Sequence, residues 1–120
     1  MRQISQDEYD LLTSISNRCG VDLSSRGLSP SVNVNPMDDG GMGSLLFILN
    51  QSSKNKRVYG RTIMEGEFYD LDGSVVSLAV NVDSEDRLLE MDVWKTDFSP
   101  LIKVPPPNIP FRFRIPDMSK

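Results

Sequence analysis

The stretch Val76-Ser77-Leu78-Ala79-Val80-Asn81-Val82-Asp83, with its successor Leu89-Glu90-Met91-Asp92-Val93-Trp94, decides the fold. In both, large apolar side chains alternate with small, polar or charged ones, the period of a half-buried strand. The turn between them, Asp83 to Arg87, is far too short for a parallel crossover, which needs a dozen or more residues. The two strands are therefore expected to be antiparallel neighbours with Leu89, Met91 and Val93 on one face and Glu90, Asp92 and Trp94 on the other. Upstream, Val58–Met64 and Glu67–Leu71 read as two more strands, the first weakened by Gly60. Asp72-Gly73 suits a tight hairpin because both residues tolerate positive φ. Ser44–Leu49 is an apolar run expected to be buried on both faces, Gln51–Lys56 a polar turn, and Val32 and Val34 a short edge strand.

The two ends behave differently. Ser5 is a candidate N-cap with Glu8 at capping-box spacing, and Ile4 and Tyr9 are placed to form a hydrophobic staple. Leu11, Leu12, Ile15 and Cys19 continue an apolar stripe at three- and four-residue steps, and Gly20 follows as a left-handed terminator. This predicts a helix over 6–18, with Cys19 a small core side chain. After Lys103, Val104-Pro105-Pro106-Pro107-Asn108-Ile109-Pro110 has few N–H groups for a ladder and should run as polyproline II. Phe111, Phe113 and Ile115 then alternate with arginines as a last strand or strap. The expected fold is one α+β domain over 1–120: an N-terminal helix packed on an antiparallel β-meander of five or six strands, closed by a proline-rich C-terminal strap.

Composition narrows the function. The 120 residues contain no His and one Cys, which removes Ser-His-Asp and Cys-His catalysis, mixed Cys/His zinc sites and a histidine pH switch. A net charge of −4 argues against holding nucleic acid by phosphate neutralisation. The longest apolar run, Leu45 to Leu49, falls far short of the ~20 residues that span a bilayer. Met1-Arg2-Gln3-Ile4-Ser5 leads directly into polar residues without a signal-peptide core. The expectation is a cytoplasmic binding protein, not an enzyme, with no cofactor, metal site or catalytic residue, no nucleic acid or membrane partner, and a monomeric or weakly dimeric state when alone.

Charge then singles out one half of the chain. Residues 65–97 carry ten carboxylates (Glu65, Glu67, Asp70, Asp72, Asp83, Glu85, Asp86, Glu90, Asp92, Asp97) against Arg87 and Lys95, a net of −8. The candidate partner-binding set is Glu67, Asp70, Asp72, Glu90, Asp92 and Asp97, with Trp94 as anchor, since an exposed Trp among carboxylates suits capture of a basic protein. The alternative is that these are solvated carboxylates and Trp94 is packed under the helix or the strap. Other motifs are weak. Asp38-Asp39-Gly40-Gly41-Met42-Gly43 has no following Lys-Ser or Lys-Thr, and its aspartates would repel phosphate. Asp70, Asp72 and Gly73 fail as a calcium loop because Phe68 and Ala79 stand where acids are needed. Glu67 with Glu90 could be imagined as a hydrolase pair, and Pro105–Pro107 as a ligand for an aromatic groove.

Asp39-Gly40-Gly41-Met42-Gly43-Ser44, Phe68-Tyr69-Asp70-Leu71-Asp72-Gly73 and above all Glu90-Met91-Asp92-Val93-Trp94-Lys95-Thr96-Asp97-Phe98-Ser99-Pro100-Leu101-Ile102 carry a resemblance, over roughly residues 37–104. The chain resembles a group of small bacterial proteins of unassigned function met among the immunity proteins of contact-dependent growth inhibition and related polymorphic toxin systems. The resemblance implies a cytosolic antitoxin that binds the C-terminal domain of a cognate toxin and blocks it stoichiometrically. A basic nuclease cleft, built for phosphate, is the kind of site an acidic inhibitor would fill. Rival expectations are a structural or regulatory adaptor that self-associates through a sheet edge, and a carboxylate-pair hydrolase.

Overall fold

The computed structural model describes residues 1–49, 57–114 and 116. The expected turn at Gln51–Lys56 and the position of Ile115 lie outside them. Among the described residues seven strands form one antiparallel sheet: β1 (Arg2–Gln3), β2 (Asn33–Pro36), β3 (Leu45–Ile48), β4 (Tyr59–Tyr69), β5 (Val75–Asp83), β6 (Leu88–Lys95) and β7 (Arg112–Arg114), in the spatial order β1-β2-β3-β6-β5-β4-β7. Among the described residues one α-helix, α1 (Gln6–Cys19), follows β1, and a short 3-10 helix (Ser24–Arg26) precedes β2. The α+β class and the N-terminal helix are as expected. The count of five or six strands is corrected to seven: the stretches 58–64 and 67–71 merge into β4, the short strand at Val32 and Val34 is β2, and the two-residue β1 carries no sequence signal of its own.

Helix α1 starts where its caps dictate. Ser5 Oγ accepts the Glu8 N–H at 3.1 Å and the Ser5 N–H donates to Glu8 Oε1 at 2.9 Å, closing the capping box. Gly20 ends the helix at φ 70°, a backbone setting that costs a side chain more than glycine. Leu11, Leu12 and Ile15 are buried and share one cluster with Val34, Phe47, Phe68, Val76, Leu78, Val80, Val82, Met91 and Val93 from the sheet. Burial of each such side chain contributes on the order of 2 kcal/mol. The core thus occupies one face of the sheet, and among the described residues no helix lies over the other face.

That one-sided packing explains several departures from expectation. In β3, Leu45 and Phe47 are buried while Leu46 and Ile48 are only half-buried, so the run is not covered on both faces. β2 is an inner strand, flanked by β1, rather than an edge. Val58–Met64 and Glu67–Leu71 belong largely to the one strand β4, and Gly60 and Gly66 are places of close approach instead of breaks. A Cβ on Gly60 would lie 2.3 Å from the Asp83 carbonyl oxygen. The order is a true meander only through β4, β5 and β6, since β3 pairs with β6. No strand or helix spans residues 96–111. Val104, Ile109 and Phe111 pack against the core from that stretch, and Arg18 donates to the carbonyls of Ile109 (2.7 Å) and Pro107 (3.1 Å). Among the described residues no helix is long and apolar enough to cross a membrane.

Candidate partner-binding face

Register places the uncovered face. Asp92 stands opposite Ala79, which stands opposite Glu65; Trp94 stands opposite Ser77, which stands opposite Glu67. Two inter-strand spacings separate the β6 row from the β4 row, about 10 Å. The β5 residues between them, Ser77 and Ala79, are small. The result is a trench of about 590 Å³ with Ser77 and Ala79 on its floor, Asp92 and Trp94 along one wall, and Glu65, Glu67, Arg112 and Phe113 along the other. Arg112 reaches this wall because β7 pairs with β4, setting Arg112 opposite Glu67.

Of the seven candidate residues, Glu67, Glu90, Asp92 and Trp94 share this face. Asp70, Asp72 and Asp97 do not join it as free charges. Lys95 has the same parity as Leu89, Met91 and Val93 and is 1% exposed. Its ammonium donates to Asp70 Oδ2 at 2.9 Å, Asp72 Oδ2 at 2.8 Å and the Pro100 carbonyl at 3.3 Å. Burial pushes the Asp70 carboxyl up, and the Ile102 N–H, the Lys95 ammonium and the Leu71 N–H outweigh it, holding it below the usual carboxylate range. Asp72 is lowered to about 2, chiefly by Lys95 and then by the Ser74 N–H. These two groups staple the β4–β5 turn and the 100–102 segment to the end of β6. Asp97 Oδ1 accepts the Ser99 hydroxyl (2.6 Å) and N–H (3.0 Å), which hold its carboxyl low and shape the turn after β6.

Two more of the ten carboxylates are consumed within the chain. Asp83 is ion-paired to Arg57 at 2.8 Å and accepts the Glu85 and Arg87 N–H groups. Asp86 pairs with Arg26 at 3.2 Å and Arg61 at 2.8 Å. The negative charge of the second half is therefore smaller at the surface than in the sequence, and Glu67, Glu90 and Asp92 lie on the uncovered face.

Glu90 and Asp92 sit at the head of a polar chain across that face. Asn81 Nδ2 donates to Glu90 Oε1 (2.9 Å) and Asp92 Oδ2 (3.0 Å), Thr62 Oγ1 donates to Asn81 Oδ1 (2.7 Å), and the Tyr59 hydroxyl is 3.0 Å from Thr62 Oγ1. Burial, and then the neighbouring Glu90 charge, push the Asp92 carboxyl above its ordinary value. Beside them Trp94 is 44% exposed and meets Phe98 edge to face at 5.5 Å. Phe98 is itself 65% exposed and has φ 61°, a left-handed setting unfavourable for a bulky side chain. Its N–H donates to the Lys95 carbonyl at 2.9 Å, so the buried Lys95 staple holds the turn that presents the ring.

The reading of Trp94 as packed under the helix or the strap is thus replaced by an exposed indole. The imagined hydrolase pair does not share a row: Glu67 stands in line with Trp94, and Glu90 is opposite Asn81. Sequence reasoning missed Phe98, for which there was no signal, and the Ser77 and Ala79 floor, for which the alternation gave one. Among the described residues no group of three or more Cys, Asp or Glu side chains is arranged to hold a metal ion.

Comparison with curated proteins and with solved structures found no match. Residues 1–105 match a family described as a domain of unknown function, DUF6984. That span includes every element up to β6, both aromatic residues Trp94 and Phe98 and the Lys95 staple, and leaves β7 outside. On this match the chain belongs to the DUF6984 family.

Proposed function

We propose that this protein is an inhibitor that works by docking, and that its partner is the C-terminal toxin domain of a bacterial contact-dependent or polymorphic toxin system. The uncovered sheet face meets a basic surface of the toxin, with Trp94 and Phe98 as anchors and Glu67, Glu90 and Asp92 as the charged surround. Neutralisation is by steric and electrostatic blockade in the cytoplasm of a bacterium, and a nuclease cleft lined for phosphate is the surface whose charge fits. The proline-rich segment after Lys103 is read as the strap that closes the helix side, supported by the Arg18 bonds to Pro107 and Ile109. One observation carries the reading: a 44%-exposed Trp94 beside Asp92 on a face that no helix covers among the described residues. Large exposed aromatics of this kind are what interface hot spots are made of.

The test is co-expression with the toxin domain encoded directly upstream, followed by size-exclusion chromatography and titration calorimetry. A stable 1:1 complex is expected. Trp94→Ala should weaken it by roughly 30-fold or more, the cost of a central hot spot being at least about 2 kcal/mol. No complex, or a complex untouched by Trp94→Ala and Glu67→Lys together, overturns the proposal.

A further inference from the structure

We infer that the trench over Ser77 and Ala79 is a receptor for an arginine side chain of the partner protein. The inference rests on the uncovered face being the docking surface and names what enters it. Three observations converge. First, the shape suits a long, thin side chain. The walls are about 10 Å apart, the floor residues are the smallest on this face, and the space is about 590 Å³. Second, the charge is complementary to a cation. Asp92 lies on one wall and Glu67 on the other, and Glu90 and Asp92 stand two residues apart on the same face of β6, both accepting from the Asn81 amide.

Third, the wall chemistry favours a guanidinium over an ammonium. Trp94 presents an exposed indole beside Asp92, so a planar cation can stack on the ring and donate to the carboxylate together. A lysine would satisfy only the charge. The chain's own Arg112 stands opposite Glu67 on the outer rim and beyond the residues matched to the family.

Trp94 is the sole tryptophan, so its fluorescence reports on the trench directly. The experiment titrates the full chain at low salt with N-acetyl-arginine amide, its lysine counterpart and its uncharged isostere, the citrulline amide. Backbone amide shifts of Ser77 and Ala79 provide a second readout. A saturable response to the arginine compound is expected, at least fivefold tighter than to lysine and absent for citrulline. Asp92→Asn and Glu67→Gln should each weaken it at least fivefold, and Glu85→Gln, on the β5–β6 turn, should leave it unchanged. Equal affinity for arginine and lysine, a response indifferent to Asp92→Asn and Glu67→Gln, or no saturation overturns the inference. Its failure is separable from that of the proposed function. A toxin complex lost in Trp94→Ala without any arginine response sinks this inference alone, and an arginine response without a toxin complex sinks the other.

Discussion

Substituting Gly66 by Ala tests how β7 is held against the sheet. Gly66 has no positive φ, so alanine strains no backbone there, and the whole effect is one of space. A Cβ at that position lies 2.5 Å from the Arg112 carbonyl oxygen and 2.5 and 2.6 Å from two atoms of the Phe111 ring. Each approach is about 1 Å too short for a carbon contact. The carbonyl belongs to backbone and cannot swing aside, so β7 itself must retreat. Overpacking of this kind costs about 1–3 kcal/mol. In a chain ending at Pro110 the obstruction is gone, and Gly66→Ala should instead stabilise by about 0.4–1 kcal/mol through the less flexible unfolded state. The sign of one substitution is thus expected to reverse with the presence of residues 111–120. Urea unfolding of all four proteins measures it; in the thermal transition the full-chain loss corresponds to roughly 4 °C per kcal/mol. An equal loss in both chain lengths would refute the reasoning, since the clash would then not be with β7.

Other outcomes follow from the same geometry. Ser5→Ala removes the acceptor for the Glu8 N–H and should cost about 1 kcal/mol in urea denaturation. Lys95→Met should destabilise the protein severely, because Asp70 is then left buried without its cation; Lys103→Met, exposed on the loop, is the control, and equal losses would contradict the staple. The carboxyls of Asp70, Asp72 and Asp83 are lowered in the folded protein, so their contribution is complete above about pH 4 and lost as pH falls through the folded values, for Asp72 near 2. Asp92 is raised and works in the opposite sense: its penalty is absent in acid and grows as pH rises through its folded value. Asp92→Asn should therefore raise the urea midpoint at pH 7 and leave it unchanged at pH 3, and a loss at pH 7 would contradict this. Phe98→Gly relieves a strained backbone costing about 1–3 kcal/mol while exposing little new surface, so the fold should hold or gain stability as toxin affinity falls.

Much of this was legible in the residues. The helix followed from Ser5, Glu8, the Leu11–Leu12–Ile15 stripe and Gly20, all local signals that tertiary packing had no cause to override. The alternation in 76–83 and 89–94 fixed the sheet's two faces and sent Glu90, Asp92 and Trp94 outward together. The same parity also put Lys95 among the buried residues, and a buried ammonium must find a carboxylate. The nearest acids to it are those of the β4–β5 turn. Glycine is obscure for a related reason: Gly60 reads along the chain as a weak point of its strand, and only the neighbours across the sheet reveal it and Gly66 as clearances. β1 has two residues and Phe98 one unusual φ, and neither leaves a pattern.

The division of the carboxylates has a consequence for any mutational scan. Asp70, Asp72 and Asp83 each carry a negative charge that would be credited to docking if neutralisation abolished a complex. Yet their partners are Lys95 and Arg57, so their loss acts on folding. Among the described residues no cation is ion-paired to Glu67 or Asp92, and neutralising them leaves the core intact. If the outer face docks a basic surface, Glu67→Gln and Asp92→Asn should slow association and flatten its salt dependence, because exposed charges steer the encounter within roughly 10 Å at 0.1 M salt. Trp94→Ala should leave association nearly unchanged and speed dissociation, because the indole makes its contact only after arrival. Asp70→Asn should lower the active fraction without altering either rate constant of the molecules that remain folded. Rates measured by surface plasmon resonance at two salt concentrations separate these three behaviours. Identical kinetic effects from Asp70→Asn and Glu67→Gln would show that the buried staple and the open face had been wrongly told apart.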